Sequence, residues 1–139
     1  MVADDRITAD AAYRLASEGT ALLWRGDFQN ARQLLQAMAR RIDRKPRKAA
    51  SSPTEAFNLH RQAQSQRART LGMLLLPLEA DYGIPLRRAP NVKEACAEAY
   101  GAGTEPSVVS LRELLGVIGA HEWRKKGVDI PALGERIHP

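Results

Sequence analysis

Leu71-Gly72-Met73-Leu74-Leu75-Leu76-Pro77-Leu78 is the longest strongly apolar run in the chain, and its reading weighs most on the fold class. Eight residues with an internal proline fall far short of the ~20 needed to span a membrane as a helix. The run follows a helical segment directly. It reads either as the continuation of that helix or as a segment that breaks at Gly72, with Pro77 as its end. Composition points toward helix. The chain holds 22 Ala and 16 Leu against 6 Val and 6 Ile, and alanine and leucine favour helix where β-branched residues favour strand. The expectation is a mainly α fold, a single helical domain of four or five helices with at most a minor strand pair. The 139 residues fit one domain, which can bury a core without disulfide or metal staples.

Outward from this run, helix signals recur. Thr8 can cap a first helix through Ala12, Leu15 and Ala16 to Glu18, which Gly19 ends. Ala21-Leu22-Leu23-Trp24 reads as a short apolar link, followed by Arg25-Gly26 and a capping Asp27. Phe28, Ala31, Leu35, Met38 and Ile42, widened by Leu34, form one helical stripe that Pro46 limits. Ser52-Pro53-Thr54-Glu55 is a capping box with proline at the first helical position. Asn91-Val92-Lys93-Glu94 opens a short alanine-rich helix to Tyr100, and Ser110-Leu111-Arg112-Glu113 opens the last one. That last helix offers Leu111, Leu114, Leu115, Ile118 and Trp123 as its buried side and ends in Arg124-Lys125-Lys126-Gly127.

Charge is uneven. The net +5 arises from −2 over residues 1–30, +8 over 31–70 and −1 over 71–139. Arg40, Arg41, Arg44, Lys45, Arg47 and Lys48 crowd into nine residues, a density suited to neutralising phosphates and releasing counterions. The stretch from about residue 44 to 52 reads as a mobile basic linker. The helix after it has no large apolar side chain from Arg61 to Thr70. A helix polar nearly all round bridges elements through solvent or faces a polar partner, and Arg61, Gln64 and Arg67 are the candidate partner face. Aromatic residues make up 5% of the chain and none lies within the basic stretch, which disfavours a base-stacking platform for single strands.

No catalytic constellation is legible. Gly101-Ala102-Gly103 reads as a turn between helices rather than a cofactor loop, which should follow a strand and open a helix. His121-Glu122 lacks the second histidine of a zinc-protease helix, because Lys125 stands in its place. His60 has no second ligand nearby, and Cys96, the single cysteine, reads as a small core residue. One cysteine permits no internal disulfide and fits a reducing cytosol. Catalytic, cofactor-binding and metal-ligating residues are therefore all expected to be absent.

Ala21-Leu22-Leu23-Trp24-Arg25-Gly26-Asp27-Phe28, Asn30-Ala31-Arg32-Gln33-Leu34-Leu35, His60-Arg61-Gln62-Ala63-Gln64-Ser65-Gln66-Arg67-Ala68, His121-Glu122-Trp123-Arg124-Lys125-Lys126-Gly127 and Arg136-Ile137-His138-Pro139 together resemble the N-terminal region of bacterial S-adenosylmethionine-dependent methyltransferases of the methyltransferase small-domain kind. The resemblance implies an accessory domain over residues 1–139 whose tail, 128–139, leads to a Rossmann-like catalytic domain absent from this chain. The glycine-rich loop and catalytic motif of that family have no counterpart here, so none of their residues carries over. The implied function is non-catalytic substrate recognition, with RNA or DNA and the C-terminal catalytic domain as partners. S-adenosylmethionine is implied for the longer protein alone. The alternative is a helical protein–protein interaction module with no nucleic-acid role.

Overall fold

The computed structural model describes residues 1–44 and 49–127; residues 45–48 and 128–139 lie outside it. The elements are β1 (Val2–Ala3), α1 (Ala9–Ser17), β2 (Leu22–Trp24), α2 (Phe28–Asp43), α3 (Pro53–Leu71), β3 (Leu74–Leu78), α4 (Lys93–Tyr100), β4 (Ser107–Ser110) and α5 (Leu111–Gly127). The strands form one sheet in the order β1-β2-β3-β4. β1, β2 and β3 run parallel and β4 pairs antiparallel with β3. This α/β arrangement corrects the mainly helical expectation.

The physical reason lies in the apolar links. Leucine's helix preference is small, and pairing on both edges with burial of alternate side chains outweighs it in β3. Gly72 caps α3, its N–H donating to the Ala68 carbonyl at 2.9 Å, so the leucines after it enter the sheet. Pro77 stays within β3 rather than ending it. β2 pairs only with Leu74 and Leu75, so at Pro77 β3 has no neighbour on the β2 side, and a missing donor facing that open side is tolerated.

Strand alternation divides the sheet into two faces. Ala3, Leu22, Trp24, Leu74, Leu76, Leu78 and Val109 are buried on one, joined in a single core with α1, α2, α4 and α5. On the other, Val2 and Val108 are 56% and 54% exposed, and Leu23, Leu75 and Pro77 are half-buried. The helices thus form a single layer. α2 touches α1, α3 and α5, while α5 lies on β3 and β4.

Caps follow the sequence with one exception. The side-chain oxygens of Thr8, Ser52 and Ser110 accept the N–H groups of Ala11, Glu55 and Glu113. Asn91 is displaced by one residue: it accepts the Lys93 N–H at 3.1 Å, and Val92 holds the cap position. In α5 Leu111 and Leu114 are buried as expected, but Trp123 is 61% exposed and His121 turns inward in its place.

Because the sheet buries one face, truncations on its two faces should differ. Leu76→Ala is expected to cost about 2–5 kcal/mol and Val108→Ala within about 0.5 kcal/mol, measured by urea unfolding. Equal costs would contradict the layering.

Candidate nucleic-acid interface

The basic region begins at the C-terminal end of α2. Arg41 is committed to the fold: its guanidinium lies 2.5 Å from the Asp10 carboxylate and 5.1 Å from the centre of the Tyr13 ring. Arg40 and Arg44 are exposed and make no ion pair among the described residues. Lys45, Arg47 and Lys48 lie outside the described residues. Thus all three described cations of the cluster are exposed, and Arg41 is the one held in an ion pair among the described residues.

α3 continues the region. Arg67 points back to the body and grips Asp43 with two contacts, Nε–Oδ1 3.1 Å and Nη2–Oδ2 3.5 Å. Residues 53–66 carry no buried side chain, and only Glu55 and Leu59 among them are half-buried. α3 is therefore uncovered for fourteen residues, about 21 Å of helix. The expected face of Arg61, Gln64 and Arg67 is split: Arg61 and Gln64 are exposed, while Arg67 is turned inward. At 100° per residue, the side opposite Leu59, Arg67 and Leu71 carries Asn58, Arg61, Gln62, Ser65 and Arg69, all exposed. The Arg61 guanidinium sits 5.8 Å from the Phe57 ring centre. The spacing i, i+3, i+4, i+7 was the available signal, and the absence of an apolar stripe hid which side was outward.

The acidic groups here are already engaged. Asp10 pairs with Arg41 and Asp43 with Arg67, while Glu55 accepts the Ser51 hydroxyl. Two of the three carboxylates are thus neutralised, and with Arg40, Arg44, Arg61 and Arg69 exposed against Glu55 the balance of charge is positive.

Other ionisable groups serve the fold. Asp27 is buried at the N-terminus of α2, where its Oδ1 accepts the N–H groups of Gln29 (2.8 Å) and Asn30 (3.3 Å). Its Oδ2 lies 2.6 Å from Arg88 Nε. The Arg88 bond, aided by the two backbone donors, holds the Asp27 carboxyl below its ordinary range. Arg88 takes up a left-handed backbone, φ 56°, to make this contact; sequence reading found the cap and missed its partner. Between α4 and α5, His121 is buried with Nδ1 2.6 Å from Glu98 Oε2 and Nε2 3.7 Å from Glu94 Oε1. Arg124 bonds the other Glu98 oxygen. Chiefly through His121, Glu98 is likewise held below the usual carboxylate range. Cys96 is buried, and burial pushes its thiol up, so it is poorly suited to nucleophilic work.

Gly101-Ala102-Gly103 lies between α4 and β4, ahead of a strand rather than after one and not between two helices. Gly101 is left-handed at φ 84°, and a Cβ on Gly103 would sit 2.1 Å from the Ala80 carbonyl oxygen. Both glycines have backbone reasons. Among the described residues no three His, Cys, Asp or Glu side chains group as metal ligands, and no helix is long and apolar enough to cross a membrane. No family model, curated protein or solved structure matches this chain.

The depressed carboxyls give a pH dependence with a defined sign. The stability that Asp27 contributes is complete above the ordinary value of 3.8 and is lost as pH falls through the lower folded value. Asp27→Asn is expected to destabilise at pH 7 and to flatten the acid limb of urea midpoints below about pH 4. An unchanged acid limb would show that the carboxylate is not linked to folding.

Proposed function

We propose that this chain is a non-catalytic accessory domain that holds a nucleic-acid substrate for an S-adenosylmethionine-dependent methyltransferase. The observation that carries the nucleic-acid part is the end of the domain formed by α2 and α3. Its two nearby aspartates are paired with Arg41 and Arg67, while Arg40, Arg44, Arg61 and Arg69 stand exposed; Lys45, Arg47 and Lys48 follow Arg44 in the sequence and lie outside the described residues. Arginine suits phosphate through its planar fork. The methyltransferase part is supported by the resemblance of the sequence blocks. Two of them have fold roles that an accessory domain needs: Leu22–Phe28 builds β2 and the α2 cap, and His121–Gly127 joins α5 to α4. The second reading, a protein-docking module, is favoured by Phe57, 59% exposed near the start of the uncovered helix.

Salt dependence separates the two readings. Each phosphate contact adds about 0.7–0.9 to the log–log slope of affinity against salt. Replacing Arg40, Arg44, Lys45, Arg47 and Lys48 by glutamine is expected to lower that slope by up to about four and to weaken all nucleic-acid sequences alike, read by fluorescence anisotropy. A mutant with the parent's slope sinks the nucleic-acid reading.

The cofactor belongs, in this proposal, to the catalytic domain. Titration calorimetry of the 139-residue chain with S-adenosylmethionine should show no saturable heat at micromolar concentrations. A micromolar site here would overturn the accessory role.

A further inference from the structure

A helix uncovered for fourteen residues, with amide and guanidinium groups on its outward side, is shaped to enter something rather than to cover something. We propose that α3 is a groove-reading helix for double-stranded DNA. Asn58, Arg61, Gln62, Ser65 and Arg69 face base edges, and the cations at the end of α2 face the phosphates. The inference rests on the nucleic-acid reading above and names its partner.

Four observations select this partner. First, no carboxylate lies between Asn58 and Arg69 on the outward face; Glu55, the acidic residue of α3, stands one turn before it, half-buried and bonded to Ser51. Second, the side-chain types are those that discriminate base pairs. Asn and Gln bond adenine through two atoms, Arg bonds guanine through two, and Ser serves either. Third, Arg61 lies over the Phe57 ring, a contact that restrains a long side chain before it binds. Fourth, the face from Asn58 to Arg69 spans about 16 Å along the helix axis, the length of about five base-pair steps.

Groove dimensions decide between nucleic acids. The major groove of B-form DNA is about 12 Å wide and admits a helix. The major groove of A-form RNA is too narrow to be read by side chains. Single strands are recognised by stacking successive bases on aromatic rings, and α3 offers one phenyl ring, Phe57, at the edge of this face and in contact with Arg61. The charge that brings the duplex is supplied separately, by Arg40 and Arg44, so affinity and base reading should come apart under mutation.

The experiment uses the 139-residue chain and three probes of one sequence about 20 nucleotides long: duplex DNA, duplex RNA and single-stranded DNA. It also uses selection from a randomised duplex DNA library. The parent is expected to bind duplex DNA at least tenfold more tightly than either other probe and to enrich a short motif of three to five base pairs. The double variant N58A/Q62A should keep its thermal midpoint, because these side chains are exposed, and keep salt-dependent binding, because it removes no cation, yet lose the motif and the tenfold preference. If the parent binds the three probes alike and enriches no motif, α3 is not a groove reader although the domain still binds nucleic acid. If it binds none of them, the inference and the proposed function fall together.

Discussion

The Asp27 carboxylate and its neighbouring backbone tie together three parts of the chain that are far apart in sequence: the turn after β1, the β2–α2 junction and the β3–α4 connection. One oxygen caps α2 and the other holds Arg88 from the β3–α4 connection. Its N–H donates to Asp5, in the turn after β1, and its carbonyl accepts the Trp24 indole at the end of β2. Asp5 also bonds the Asn30 side chain, and the Phe28 N–H donates to the Arg87 carbonyl. Gly26 is part of the same constraint. A Cβ there would lie 2.5 Å from the Asp5 carboxylate and 2.9 Å from its backbone nitrogen. Arg25-Gly26-Asp27 is thus a junction: glycine permits the approach and aspartate satisfies the donors brought together.

This junction sets the direction of α2, and the end of α2 in turn anchors α3. The buried stripe of Phe28, Ala31, Leu34, Leu35 and Met38 sets α2 into the core it shares with the sheet, leaving the exposed Arg40 and Arg44 past its last buried residue. Asp43 then receives Arg67, which anchors the last turns of α3 and leaves residues before it without a burying surface. Leu71 and Leu74 resume the core on the two sides of Gly72. The uncovered helix is therefore a consequence of where α2 ends and where β3 must begin. Its polar composition is what keeps such a segment tolerable in water.

Helices were more legible than the sheet, for a physical reason. The stripe of α2 and the Ser52 and Ser110 caps are local signals complete within a few residues. Strands of two to five residues are too short to show an alternating pattern, and what makes them strands is pairing across the chain. Leu22 lies beside Leu74 and Leu76 beside Val109, relations that no window on the sequence contains. Pro77 misled for the same reason, since its tolerance depends on where β2 stops. At the candidate site, charge density was legible because it is additive along the chain. Which cations were free was not. Arg41 and Arg67 look no different from Arg40 and Arg44 until Asp10 and Asp43 are placed beside the first two. Trp123 lies outward where burial was expected, and His121 takes the inward place because Glu98, on another helix, supplies a partner for it.

In the proposed reading, α3 and the end of α2 form one interface separate from the Asp27 junction. The sharpest test is amide chemical-shift mapping on the ¹⁵N-labelled chain, titrated with a short DNA duplex. Shifts concentrated on Asn58, Arg61, Gln62, Ser65, Arg69, Arg40 and Arg44, with Asp27, Trp24 and the sheet unmoved, are the expected result. Shifts centred on the open sheet face at Leu23, Leu75 and Val108, or an unchanged spectrum, would contradict it.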